Sequence, residues 1–115
     1  MLVNATIVDT TPSSGTFFRV KPSDAFQTHR AAIRRIVEAH HARNPRVFGS
    51  VAQGCNMEGS DLDVLVDPTP ETTLFDIGAI RHALLELLGV PVDVVTPRAL
   101  PEKFRAAVLA EAIPV

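Results

Sequence analysis

The sequence predicts an α/β (α+β) domain, a small mixed sheet of about three strands covered by helices. Two observations lead there. Segments with helical period alternate with short β-branched runs in the order helix, strand, short helix, strand, helix, strand, helix. Such alternation argues for one sheet with helices packed on it. The second observation is the stretch G-S-V-A-Q-G-C-N-M-E-G-S-D-L-D, residues 49–63, set between R-V-F and V-L-V. It reads as strand, Gly-Ser turn, short helix or loop, then a strand carrying Asp61 and Asp63. At 115 residues the chain is long enough for one domain with one core and no covalent staples.

Residues 1–22 carry the weakest pattern. L-V-N-A-T-I-V reads as a short strand, D-T-T-P-S-S-G as a loop and F-F-R-V as a returning strand. A partly disordered extension is an equal reading, so residues 1–22 are set apart and 23–115 form the domain proper. A helix starts at Asp24, an N-cap with Gln27 three residues on. Its inner face carries Phe26, Ile33, Ile36 and Val37, with His29 beside them. It is expected to run to about Arg43, because Asn44-Pro45 disfavours helix. Strands follow at Arg46 to Phe48 and at Asp61 to about Asp67. Thr73, with Asp76 three on, caps a helix bearing Leu74, Ile77, Ile80, Leu84, Leu87 and Leu88, and Gly89 closes it. Residues 90–95, V-P-V-D-V-V, form the third strand, which Thr96-Pro97 ends. Pro101 fits the first position of a last helix, with Phe104, Ala107 and Val108 facing inward.

The net charge of −2 hides an asymmetry: residues 1–60 carry +3 and residues 61–115 carry −5. A general nucleic-acid binder would be strongly basic, so direct nucleic-acid binding is not expected. The single cysteine, Cys55, excludes an internal disulfide and favours the cytoplasm. No signal peptide is expected, and no apolar run approaches the ~20 residues of a membrane span.

The chemistry concentrates in residues 49–63. Side chains two apart on a strand share a face, so Asp61 and Asp63 project together and Leu62 turns to the core. Two adjacent carboxylates repel unless a cation joins them, and Mg²⁺ is the natural choice beside phosphates. Gly49 lets backbone approach a phosphate, a helix N-terminus offers free N–H groups, and Ser50 adds a hydroxyl. The stretch thus describes a site for a metal–nucleotide. Asp93, amid Val90, Val92, Val94 and Val95, is costly without a partner. If the second and third strands are neighbours, it joins Asp61 and Asp63. His40-His41 diverge around a helix and lack a third ligand. Arg30, Arg34 and Arg35 read chiefly as a solvated helix face.

Phe48, Gly49, Ser50, Asp61 and Asp63 resemble the h-G-S-x10-D-x-D signature of minimal nucleotidyltransferases of the DNA-polymerase-β superfamily, and Asp93 in V-D-V-V fits the third carboxylate. The resemblance runs from about Arg30 to A-V-L-A-E-A-I-P-V. It is nearest to antitoxins paired with HEPN-domain ribonuclease toxins. It implies a nucleotidyltransferase fold, ATP as substrate, and transfer of AMP to the toxin within a hetero-oligomeric complex. It further implies Mg²⁺ on Asp61, Asp63 and Asp93, a proton accepted by Asp93, and pyrophosphate anchored at Gly49 and Ser50. The chain departs from the pattern at Gln53, where relatives often carry arginine. A binding-only antitoxin is the alternative reading. A small-molecule nucleotidyltransferase would need a second domain to hold its acceptor, for which 115 residues leave no room.

Overall fold

The first helical stretch folds as two helices rather than one. In the computed structural model, which describes residues 20–115, α1 spans Pro22–Thr28 and α2 spans Arg30–Ala39. The expected pairing of strands within residues 1–19 lies outside the described residues. The N-cap of α1 is Lys21, with Pro22 at the first helical position, so Asp24 sits inside the helix and caps nothing. The break falls at His29. Its ring Nδ1 lies 3.1 Å from the Ala25 carbonyl, the acceptor that a continuing helix would give to the His29 N–H. That N–H turns to the Phe26 carbonyl instead, at 3.2 Å.

The second helix also ends earlier than expected. His40 and His41 bond back three residues, to Val37 and Glu38, and His41 takes a left-handed backbone with φ +66°. Its carbonyl accepts hydroxyls from Thr69, at 2.8 Å, and from Thr72. Strand β1 therefore spans Ala42–Phe48, and Asn44-Pro45 lies within it. The strand accommodates proline through a bulge: the register against the next strand shifts between Arg43 and Arg46, and Asn44 has φ +53°.

The remaining elements are α3 (Ser50–Gln53), β2 (Leu62–Pro68), α4 (Leu74–Leu88), β3 (Val92–Val95), a 3₁₀ turn (Pro97–Ala99), α5 (Glu102–Glu111) and β4 (Ile113–Pro114). The sheet order is β3-β2-β1-β4. β2 and β4 flank β1 antiparallel, and β3 runs parallel to β2. Parallel neighbours need a crossover, which α4 provides. The fourth strand was not expected from the sequence; it is a two-residue pairing of Ile113 and Pro114 onto Val47 and Arg46. Arg30 steadies this edge by donating to the Pro114 carbonyl at 3.0 Å, and Arg34 donates to the Val115 carbonyl. Both arginines thus fasten the C-terminal strand instead of standing free in solvent.

Strand alternation sorts the sheet into two faces. Val47, Leu62, Val64, Val66, Val92 and Val94 join Phe26, Ile33, Val37, Ile80, Leu84 and Leu88 in one core. Leu74 is 89% exposed, because the first turn of α4 projects beyond the core. The inward face expected of the last helix is largely absent: α5 buries none of its residues fully, Phe104 and Ala107 are exposed, and of the expected face only Val108 is half-buried. Its anchor is polar. Arg105 donates to the Pro97 carbonyl at 2.8 Å and the Leu100 carbonyl at 3.0 Å, while Leu100 itself is buried. Among the described residues no helix is long and apolar enough to cross a membrane.

Thr73 and Asp76 form the expected cap of α4 in both directions. Thr73 Oγ1 accepts from the Asp76 N–H at 3.2 Å, and the Asp76 carboxylate accepts from the Thr73 N–H at 2.8 Å. The bond from Thr73 holds the Asp76 carboxyl below its ordinary value. Replacing Thr73 with Ala should cost about 1 kcal/mol of stability, measured by urea unfolding at neutral pH. The box stabilises the fold above the ordinary carboxylate range, and its contribution is lost as pH falls through the lowered value. Thr73→Ala keeps the backbone donor to Asp76, so this pH dependence should persist in that variant, whereas Asp76→Ala should remove it.

Candidate active site

The site forms at the end of the β1–β2 ladder where β1 gives way to α3. Phe48 pairs with Asp63 across the antiparallel register, and Asp63 pairs with Asp93 across the parallel one. Leu62, Val64, Val92 and Val94 are buried in the core, so the alternating Asp63 and Asp93 share the opposite face. Asp63 is half-buried and Asp93 exposed. Asp61 was expected on the strand but precedes it. The Leu62 N–H donates to the Pro91 carbonyl at 2.8 Å and opens the ladder, leaving Asp61 exposed in the lead-in.

The flanking carboxylates act on Asp63. Burial first, then the charges of Asp93 and Asp61, raise the Asp63 carboxyl above its ordinary value. All three influences push in the same direction. Among the described residues no three His, Cys, Asp or Glu side chains already form a closed metal cage. The sheet brings strand positions and charge together without converging the liganding atoms, as mutual repulsion requires. A donor set of hard oxygens carrying net negative charge fits a hard divalent cation.

Gly49 shapes the other side of the site. It has φ +70° and ψ −142° and caps α3 without any side-chain hydrogen bond. A Cβ at this position would overlap Asp63 Oδ2 and stand 3.3 Å from Asp63 Cγ. Glycine is therefore required twice, by the backbone conformation and by the carboxylate lying against it. The first N–H groups of α3, starting at Ser50, have no acceptor within the helix. They lie beside the carboxylates and can receive a phosphate oxygen.

Gln53 ends α3 and meets the last helix. Its Nε2 lies 3.5 Å from Glu111 Oε1 on α5. Nothing in the spacing of residues 53 and 111 signals that contact; it arises because α5 returns to this end of the sheet. Cys55 is exposed, and His82 pairs with Glu86 at 3.3 Å on the surface of α4, so neither enters the site. A cavity of about 500 Å³, lined by Glu38, His41, Ala42, Arg43, Thr69, Pro70 and Glu71, opens at the opposite end of the ladder. The carboxylates lie on an open face, where a large substrate has access.

A strand–glycine–short helix–strand unit that presents paired aspartates, with a third aspartate on the neighbouring strand, defines the nucleotidyltransferase class. Residues 31–115 match the nucleotidyltransferase domain family, and the chain belongs to it. Within that family it is a minimal nucleotidyltransferase. It is 32% identical over 80 residues to a protein of Methanocaldococcus jannaschii provisionally named a protein adenylyltransferase, covering 70% of this chain and 86% of that one. A solved structure provisionally described as a minimal nucleotidyltransferase is 43% identical, with TM-score 0.73 over 81% of this chain and 95% of the other. A toxin–antitoxin complex with AMP-PNP shares the fold at 20% identity and TM-score 0.62, covering 73% of this chain and 69% of that one.

Two outcomes follow from this geometry. Gly49→Ala should lose about 1–3 kcal/mol and most nucleotide binding, from backbone strain and overlap with Asp63 together. Gly54→Ala has the same kind of strain at φ +76° but open space around its Cβ, so it should cost less and leave nucleotide binding intact. Thermal melts and nucleotide titrations of both variants test this. Asp63→Asn should raise Tm at neutral pH in chelator. The folded value of Asp63 lies above the unfolded 3.8, so its ionised form weakens the fold at neutral pH. That penalty fades as pH falls through the raised value towards 3.8, and the advantage of Asn should fade with it.

Proposed function

We propose that the protein transfers AMP from ATP to a hydroxyl of a partner HEPN-domain toxin and so neutralises it as an antitoxin. The observation that carries this reading is the placement of Asp63 against both Asp93 and Gly49 on one open end of the sheet. The M. jannaschii relative named for protein adenylyl transfer supports the reaction type. The toxin–antitoxin complexes among the structural neighbours support the partner. A cytoplasmic location accords with an ATP-dependent reaction and with the free thiol of Cys55.

Asp61, Asp63 and Asp93 would hold Mg²⁺, which when bound neutralises the triphosphate and acidifies the acceptor hydroxyl. The chain's own groups divide the remaining work. The N–H groups opening α3 and the hydroxyl of Ser50 bind the β- and γ-phosphates. Asp93 receives the acceptor's proton. The acceptor oxygen bonds to the α-phosphorus as its bond to the β-phosphate oxygen breaks, and pyrophosphate leaves towards Gly49 and Ser50. The exposed face admits a protein acceptor without rearrangement of the core.

The test is the intact mass of the co-purified toxin after incubation with ATP and Mg²⁺. The toxin should gain mass in whole adenylyl units. Chelating the metal should stop the gain. Asp61→Asn combined with Asp63→Asn should retain toxin binding, because both positions lie away from the core, while transfer falls by at least about 10²-fold. Neutralisation with no mass change in wild type would leave a binding-only antitoxin instead.

A further inference from the structure

The cavity at the far end of the sheet has features that the transfer reaction does not use. Its lining comes from the end of α2, the start of β1 and the β2–α4 loop. The corner is firmly built, since the left-handed His41 is held through its carbonyl by the hydroxyls of Thr69 and Thr72. His41 Nδ1 faces Asp76 Oδ1 at 3.4 Å, which sets the first turn of α4 beside the cavity. On that turn Leu74 and Phe75 are each 89% exposed. Two large apolar side chains so fully exposed, next to a concavity, mark an interaction surface.

The charges say more about the occupant. Glu38 and Glu71 line the cavity together with Arg43, and all three are exposed. Among the described residues none of these side chains has an ion-pair partner. One patch thus carries an apolar projection, a hollow and unpaired charges of both signs. A two-fold contact between identical chains demands this combination, because a single patch must serve as both faces.

We propose that this end of the molecule docks a second copy of the chain, with Phe75 of each copy entering the cavity of the other and Arg43 meeting Glu71 or Glu38 across the two-fold axis. β1 spans seven residues between the cavity and the carboxylates, which at roughly 3.3 Å per residue separates them by about 20 Å. Both catalytic ends therefore remain open in the pair. Loss of this pairing would leave the transfer reaction at the opposite end unchanged.

Sedimentation equilibrium of the purified full chain, alone and with its toxin, tests the proposal. Wild type alone should dimerise with Kd below about 1 mM, the limit of a specific weak contact. Phe75→Asp, at an exposed position that the fold does not need, should weaken dimerisation by at least about 30-fold, as for a central anchor residue. Arg43→Glu should weaken it by about tenfold, and adding Glu71→Arg should restore it. A wild-type monomer at all concentrations overturns the proposal. So does a Phe75→Asp variant that dimerises like wild type. A third overturning result is a wild-type monomer whose Phe75→Asp variant loses the toxin, which would give the surface to the toxin instead.

Discussion

Parallel pairing of β2 with β3 is the constraint on which the site depends. It places Asp93 directly beside Asp63, thirty residues away in sequence. The pairing is held from the opposite face, where Leu62, Val64, Val92 and Val94 pack against α2 and α4. Apolar burial on one face thus supports charge repulsion on the other. The raised Asp63 carboxyl is the electrostatic signature of that arrangement. A sheet stabilised by its core can keep aspartates on neighbouring strands despite their repulsion, which suits them to share a cation.

Gly49 sets the remaining dimension. Because it lacks a Cβ, the Asp63 carboxylate lies against the backbone at the point where β1 turns into α3. The donors at the helix start and the acceptors on the strand consequently stand next to each other without a side chain between them. That proximity is what a metal-bound polyphosphate requires: N–H groups for its oxygens and carboxylates for its counter-ion. The short helix contributes little to the core beyond Val51. Its position follows from the turn instead of from packing.

Local chemistry also explains where the chain departs from its periodicity. His29 divides the first helical stretch because its ring meets the carbonyl that the helix would use. His41 ends α2 early because threonines from a distant loop capture its carbonyl. Asn44-Pro45, which reads as a helix stop, is absorbed as a bulge inside β1, with Asn44 Nδ2 donating to Asp67 at 3.0 Å. In α5 the apolar residues at helical spacing do not find a surface to cover. Arginine-to-carbonyl bonds fasten its start, and the contact between Gln53 and Glu111 meets its end.

The amino-acid sequence by itself determined the elements whose signals are local. The capping box at Thr73 and Asp76, the left-handed close of α4 at Gly89 and the Gly-Ser turn depend on residues a few positions apart. The alternation that sends Leu62 inward and Asp63 outward depends only on strand geometry. Strand order, the addition of β4 to the edge of β1, the lead-in position of Asp61 and the outward face of α5 were decided by tertiary structure. Each depends on a partner far along the chain: Pro91 for Leu62, Arg30 for Pro114, Gln53 for Glu111. A hydrogen bond or a packed face has no trace in periodicity when its second half lies dozens of residues away. Asp93 stood between these cases, since a charge amid valines announced a need for a partner and only the register of β2 against β3 supplied one.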